Sequence, residues 1–339
     1  MVHFKKIITI IIAFLLIVIF ATHILFNTHV GLGEYDKWYE GLNTSPHEDD
    51  IKIQFAGVST LLISDDSTHI LTDGFFSRFS TAQMLLDSIQ PNVDDIEWAL
   101  KKMGIGELDA VLAVHSHFDH AMDSPEVTEQ TKSILYGSES TEMIAKGWGL
   151  PESRFALLKD RQPLFFGKFK VTPIVTNHFE FPEGFMRKKA MEEGLVIEQP
   201  LTPPAKAADY KMGEVYTFLF EHPKGSFLLQ SSAGWKSGTL DGIEVDHVIM
   251  GVGGLGTQTE EYQASYFNEI VNKVKAQNVY LIHWDAFSGS IRKPIQGPSR
   301  LLNWLGGKTQ KSFKAIEREA SKQGNINVYL LPQWQTIGF

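Results

Sequence analysis

The pattern of apolar and polar positions divides this chain into an apolar head and a mixed body. Residues 7–26 are apolar apart from Thr9, Thr22 and His23, a length that spans a hydrocarbon core of about 30 Å as a single helix. Lys5 and Lys6 precede the run, and Glu34, Asp36, Lys37 and Glu40 follow it. The positive-inside bias therefore puts residues 1–6 in the cytoplasm and the rest of the chain on the extracytoplasmic side. The run exceeds the ~7–15 apolar residues of a signal peptide and lacks a clear small-x-small cleavage site, which favours an uncleaved membrane anchor over a secreted, processed product. Residues 27–48, with Gly31, Gly33, Gly41, Asn43, Ser45 and Pro46, read as a linker with turns, helical around 35–39, or as an N-terminal arm held to the body by Trp38 and Tyr39.

From residue 49 to 339 strand and helix periodicities are interleaved. The run 110–114 is a buried apolar strand. Helices are expected over 81–89 and 94–103, the latter with Ile96, Ala99, Leu100 and Met103 on one face and Gly104 beyond its end. A further helix over 140–146 should stop at Gly147. Paired strands about Gly167 fill 161–176, and 215–231 forms a hairpin turning at Pro223-Lys224-Gly225. A strand at 246–250, a helix at 260–276 and a strand at 278–282 follow. Pattern alone says α/β or α+β.

Composition narrows the chemistry. The chain has 339 residues, 43% of them hydrophobic, a formal net charge of −9 and no cysteine. A domain of this sign offers no footprint for a phosphate backbone, so nucleic acid is not an expected partner. Thiolate ligands and disulfides are excluded outright.

Directly after the 110–114 strand comes His115-Ser116-His117-Phe118-Asp119-His120. Imidazole nitrogen and carboxylate oxygen are both good zinc ligands at about 2.0–2.2 Å, and imidazole also suits iron. Four such groups so close together cannot all address one ion. His115 and His117, two apart, reach the same side of an extended segment, whereas Asp119 and His120 turn toward a second position. Two metals about 3.5–4 Å apart can share a hydroxide that is nucleophilic at neutral pH.

In this setting the HxHxDH run resembles the metallo-β-lactamase-fold hydrolase superfamily, over about residues 49–339. The resemblance implies an α/β domain built as a four-layer αββα sandwich, with opening strands over 51–64 and 69–74 joined by an Asp65-Asp66 turn and ending in Asp73, which orients the histidine loop through hydrogen bonds. It also implies that His178, at the end of the 171–178 run, joins His115 and His117, and that His283, at the end of 278–283, joins Asp119 and His120. The cofactor implied is divalent metal, zinc first, as one or two ions. The pattern departs from the family at the bridging aspartate, commonly in Gly-Asp-Thr: in the corresponding run, 226–234, Ser232 stands there. A neutral hydroxyl bridges two dications poorly, so one tight and one weak ion, or two joined only by hydroxide, are the expectations. Asp285 is either a substitute or an ordinary carboxylate.

Attack by metal-activated hydroxide on carbon or phosphorus follows from such a site, with Asp119 both holding metal and orienting the nucleophile. His222 and His247, near strand ends, are open candidates for proton donor. The 71–77 run and the HxHxDH-Ala-Met-Asp123 continuation look nearest to the group containing L-ascorbate-6-phosphate lactonase and the phospholipase D that hydrolyses N-acyl-phosphatidylethanolamine. Residues 179–213, with Phe179, Phe181, Phe185, Met186 and the basic Arg187-Lys188-Lys189, make a candidate substrate wall. The expectation is a membrane-anchored hydrolase of a phosphodiester, lipid-like or small-molecule, or of a lactone or ester. The alternative is a metal-binding, non-hydrolytic surface module with a degenerate second site. Residues 251–256 have GxGGxG spacing but lack a βαβ unit with an acidic residue ~20 positions on, and read as a tight turn beside the metal cleft.

Overall fold

Apolar residues at alternate positions along these strands face two different layers, and this decides the architecture. A computed structural model describes residues 2–181 and 195–339. Its strands are β1 (Lys52–Gly57), β2 (Thr60–Ser64), β3 (His69–Thr72), β4 (Ser88–Ile89), β5 (Ala110–Leu112), β6 (Leu135–Gly137), β7 (Phe155–Leu157) and β8 (Leu164–Phe166). They continue as β9 (Phe169–Thr176), β10 (Ala205–Lys206), β11 (Val215–His222), β12 (Gly225–Gln230), β13 (His247–Gly251), β14 (Asn278–Ile282), β15 (Asn327–Leu330) and β16 (Thr336–Gly338). Two seven-stranded sheets result, ordered β16-β1-β2-β3-β5-β6-β7 and β15-β14-β13-β12-β11-β9-β8, while β4 and β10 pair separately.

Ala110 and Leu112 of β5 meet Phe218, Phe227 and Leu229 of the second sheet in a shared inner core. Val111, between them, faces the opposite way, toward Ile96, Leu100 and Ile144 on the helices Val93–Met103 and Glu139–Trp148. In the second sheet Leu228 and Val248 likewise turn outward to Tyr266, Phe267 and Phe313, on Glu260–Phe267 and Thr309–Gln323. The period of two thus places helices outside both sheets. This is the expected αββα sandwich.

Several elements differ locally from expectation. The helix expected over 81–89 ends at Leu86, and Ser88 and Ile89 leave it to pair with β10. Gly147 lies inside Glu139–Trp148, which ends instead at Gly149 with φ +95°. Gly147 is required for a close approach: a Cβ there would lie 2.0 Å from the Leu201 carbonyl oxygen. The helix expected over 260–276 is α-helical only to Phe267, followed by a π turn over Asn268–Asn272.

At the N-terminus a helix covers Val2–Asn27. Its Phe4–Asn27 stretch is long and apolar enough to cross a membrane, with mean hydropathy 2.9 and no part of that window buried. Beyond it the 3-10 turn Gly33–Tyr39 packs as an arm on the second sheet's helices. Tyr35 and Trp38 are buried, with ring centroids 4.8 and 5.2 Å from that of Phe313.

Candidate metal centre

The loop after β5 is pinned from both sheets before it reaches its first histidine. Val114 donates its amide to Asp73 Oδ1 (2.9 Å) and accepts at its carbonyl from the Tyr216 amide (2.9 Å), so His115 leaves the strand in a fixed direction. His117 stands at the start of a one-turn helix, Phe118–Ala121. That turn aims Asp119 and His120 at a second position, with the His120 ring still packed on that of His115 (centroids 3.8 Å apart).

The six residues form two groups. Ligand atoms of His115, His117 and His178 lie within 4.8 Å of one another, as do those of Asp119, His120 and His283. In the first, His115 Nε2 faces His117 Nδ1 at 3.0 Å. In the second, His283 Nε2 lies 3.2 Å from His120 Nε2 and 3.3 Å from Asp119 Oδ2. The first sheet carries 115–120 and the second brings His178 and His283 to the ends of β9 and β14, so the groups sit on the seam between sheets.

Second nitrogens of these rings are tied down in ways that prepare the first. His120 Nδ1 is 2.8 Å from Asp73 Oδ2 and donates to it, leaving the lone pair on Nε2, toward His283 and Asp119. His178 Nδ1 donates to the Phe179 carbonyl (2.9 Å), so its Nε2 is likewise free to ligate. Asp73 is fully buried and also accepts from Ser59 Oγ in a short contact. Ser59 Oγ lies 2.9 Å from His120 Nδ1 as well. His115 Nδ1 is buried with no hydrogen-bond partner among the described residues. Together these tautomers and the converging donors fit divalent ions.

For the all-histidine group, electrostatics point the same way. Burial, reinforced for His115 by the surrounding imidazoles, holds His115 and His178 well below the ordinary histidine range and His117 down at about 4. All three are neutral at neutral pH, as ligands must be. Burial opposes ionisation of Asp119, but His120, His283 and His117 around it outweigh that and keep its carboxyl well below the usual range. Burial also opposes protonation of His120, and Asp119 and Asp73 outweigh it, raising the ring.

Asp73 and His283 both adopt φ +57°, and Val58 adopts φ +53°, a costly conformation for a β-branched side chain. Such strain gathers at functional sites. Val58 sits in the tight turn between β1 and β2 and latches the His283 loop: its carbonyl accepts the His283 amide (2.7 Å), and its own amide donates to Asp285 (2.8 Å). Asp285 belongs to neither ligand group. Ser232 lies at the end of β12 beside His178, where its hydroxyl accepts the Phe179 amide (3.0 Å). Asp119 is the one carboxylate in the two groups among the described residues.

Ser59 and Val58 carry no motif of their own; their part emerges only when the β1–β2 turn meets the histidine loop in space. His222 and His247 do not approach the centre. His247 begins β13, whose far end, Gly251, is the one beside the site, and its ring stacks on Phe339 (4.3 Å), while the His222 ring lies tilted against Phe169 (4.7 Å). The 251–256 glycines do form a turn against the site: a Cβ on Gly253 would lie 2.5 Å from His283 Nδ1, and one on Gly254 the same distance from the Phe179 ring. Phe185, Met186 and Arg187 to Lys189 lie outside the described residues.

The fold is similar to that of Igni18, a metallo hydrolase from the archaeon Ignicoccus hospitalis, with 11% identity and a TM-score of 0.51 over 85% of this chain and 98% of that one. The chain has the metallo-β-lactamase fold. CmlA, a diiron β-hydroxylase from Streptomyces venezuelae, is similar at 11% identity and a TM-score of 0.51, over 87% of this chain and 55% of that longer one. YhfI from Bacillus subtilis, a metallo-β-lactamase fold protein, matches at 14% identity over 86% of this chain and 98% of its own, with a TM-score of 0.45. No family model and no curated protein matches the sequence. At such identities the likeness concerns the fold, and function rests on the site.

Proposed function

We propose that this protein is a membrane-anchored, metal-dependent hydrolase acting on a phosphodiester, small or lipid-like, or on a lactone or ester. The observation that carries the reading is the pair of facing triads, one all-histidine and one containing Asp119, with ring tautomers set for ligation. His115, His117 and His178 would hold one divalent ion and Asp119, His120 and His283 a second, zinc being the first candidate. A divalent ion there supplies Lewis acidity and a water acidic enough to ionise near neutral pH.

The chain's own groups do the rest. Asp119, kept ionised by its histidine neighbours, contributes the site's negative charge and orients the nucleophile through a carboxylate oxygen. Asp73 fixes His120. Ser232, committed to the Phe179 amide, leaves the second position without a bridging carboxylate, so that position is the weaker one. Residues 7–26 are the anchor, and Lys5 and Lys6 keep residues 1–6 in the cytoplasm, with the metal centre on the extracytoplasmic side.

The same fold houses a diiron β-hydroxylase, CmlA, and an all-imidazole and carboxylate donor set suits iron as well as zinc. Elemental analysis of the detergent-solubilised full chain therefore comes first, followed by turnover of bis-p-nitrophenyl phosphate and a lactone panel. Hydrolysis that is abolished by chelation and by His117→Ala is the expected result. A metal-replete protein that hydrolyses neither class would sink the hydrolase reading and leave a metal-binding surface module.

A further inference from the structure

A cavity of about 600 Å³ lies where the N-terminal helix meets the domain, and no residue of either triad lines it. Phe26, Asn27 and His29 form one wall; Arg78, Ser288 and Lys293 face it from the domain. The wall is held firmly. Thr28 accepts the Arg300 amide (2.9 Å), Val30 donates to the Pro298 carbonyl (3.1 Å), and His29 Nδ1 pairs with the Gly297 carbonyl (2.8 Å).

Arg78 is oriented within this cavity. Its Nη1 donates to the carbonyls of Phe75 (2.9 Å) and Ser77 (3.0 Å), and its guanidinium lies 4.7 Å over the Phe75 ring. Its Nη2 has no hydrogen-bond partner among the described residues, and it packs so closely on Gly57 that a Cβ there would lie 2.7 Å away. Ser288 is 9% exposed, and its hydroxyl is also without a partner among the described residues. Of the acidic groups lining the cavity, Asp95 is matched by Arg292 (3.0 Å), whereas Asp285, which accepts the Val58 amide, keeps its charge beside Arg78, both crowding Gly57. Arg78 and Lys293 against Asp285 leave one positive charge over, and a held guanidinium with a free Nη2 beside an unused hydroxyl suits phosphate oxygens.

Apolar side chains are exposed on the elements beside the N-terminal helix. Helix Thr81–Leu86 and the Arg300–Leu302 turn pack against the N-terminal helix. Leu86 on the first and Trp304 just after the second are 77% and 71% exposed, with Leu85 and Leu305 beside them also exposed. Exposed tryptophan and leucine next to the end of a membrane-length helix belong at a lipid headgroup layer.

We propose that this cavity binds the phosphate of a membrane lipid headgroup, with Arg78 as its principal partner and Ser288 and Lys293 assisting. The proposal rests on reading residues 7–26 as an anchor, which sets the cavity at the bilayer surface. The test is titration of the full chain in neutral detergent with dihexanoyl phosphatidylglycerol, followed by calorimetry. Saturable one-to-one binding is expected, weakened about ten-fold by Arg78→Gln and less by Ser288→Ala and Lys293→Gln. Unchanged affinity in all three variants overturns the proposal. Equal binding of dihexanoyl glycerol removes the phosphate from it, and equal binding of inorganic phosphate removes the lipid. If Arg78→Gln fails to fold, as its metal content would reveal, the other two variants decide. The anchor is tested separately by carbonate extraction of membranes: release of the chain defeats the anchor reading whatever the titration shows.

Discussion

Replacing Asp73 by Asn should disable one ion position and spare the other. Asp73 accepts three hydrogen bonds, from the Val114 amide (2.9 Å), from Ser59 Oγ and from His120 Nδ1 (2.8 Å). Asn keeps the shape and tolerates the left-handed φ of +57° at this position. Its carbonyl oxygen can still take the Val114 amide, so its NH2 is turned toward His120 Nδ1. That ring must then accept at Nδ1 and carry its proton on Nε2, the atom 3.2 Å from His283 Nε2. One ligand lone pair is lost from the Asp119 group, whereas His115, His117 and His178 keep theirs. Loss of such an orienting partner lowers metal affinity by about 10–100-fold, or roughly 1.4–2.7 kcal/mol. Competition with a chromogenic chelator reads both positions. The expected result is a weakened second ion beside an unchanged first one. Equal weakening of both, or of neither, in a folded variant would refute the assignment of Asp73 to His120.

Ser232→Asp should raise bound metal toward two ions per chain by elemental analysis, and its metal-free form should unfold more easily, because it buries a carboxylate at a position only 5% exposed; unchanged stoichiometry would show that the missing carboxylate does not limit the second ion. Burial pushes the Asp123 carboxyl up to about 6, against about 3.9 in an unfolded chain. Its contribution is therefore fully present below pH ~4 and is lost as pH rises through ~6, by about 3 kcal/mol. Asp123→Asn lacks this titration, so its stability relative to the parent should improve by that amount between pH 4 and 7 in urea unfolding; a pH-independent difference would contradict the buried, protonated carboxyl. Trp38→Ala should cost about 3 kcal/mol in thermal unfolding if the N-terminal arm is part of the core, and a change below about 0.5 kcal/mol would show that the arm is only draped on the surface.

The histidine loop was legible because its four candidate ligands fall within six residues, and the strand before it because five apolar residues in a row are hard to expose. His178 and His283 were visible only through the resemblance, since each is one histidine at one strand end until the second sheet carries it to the seam. Strand positions were legible, but not which face met the other sheet, because β2 and β5 are buried on both faces. Gly147 resembled a helix stop because its true partner, the Leu201 backbone, lies far along the chain. Ser59, Arg78 and the commitment of Asp285 to Val58 depend on tertiary contact alone.

The seam location of the two triads has a consequence for how the protein matures. Each triad takes its candidate ligands from both sheets, so neither exists in an unfolded chain or in a half-formed sandwich, and the ions proposed for them would be captured only after the sheets have closed. Once captured they act as sutures between the halves, adding RT ln(1 + [L]/Kd), about 4 kcal/mol at a thousand-fold excess over Kd. On the proposed reading, metal supply in the compartment where folding finishes would govern how long the folded protein lasts as well as whether it turns over.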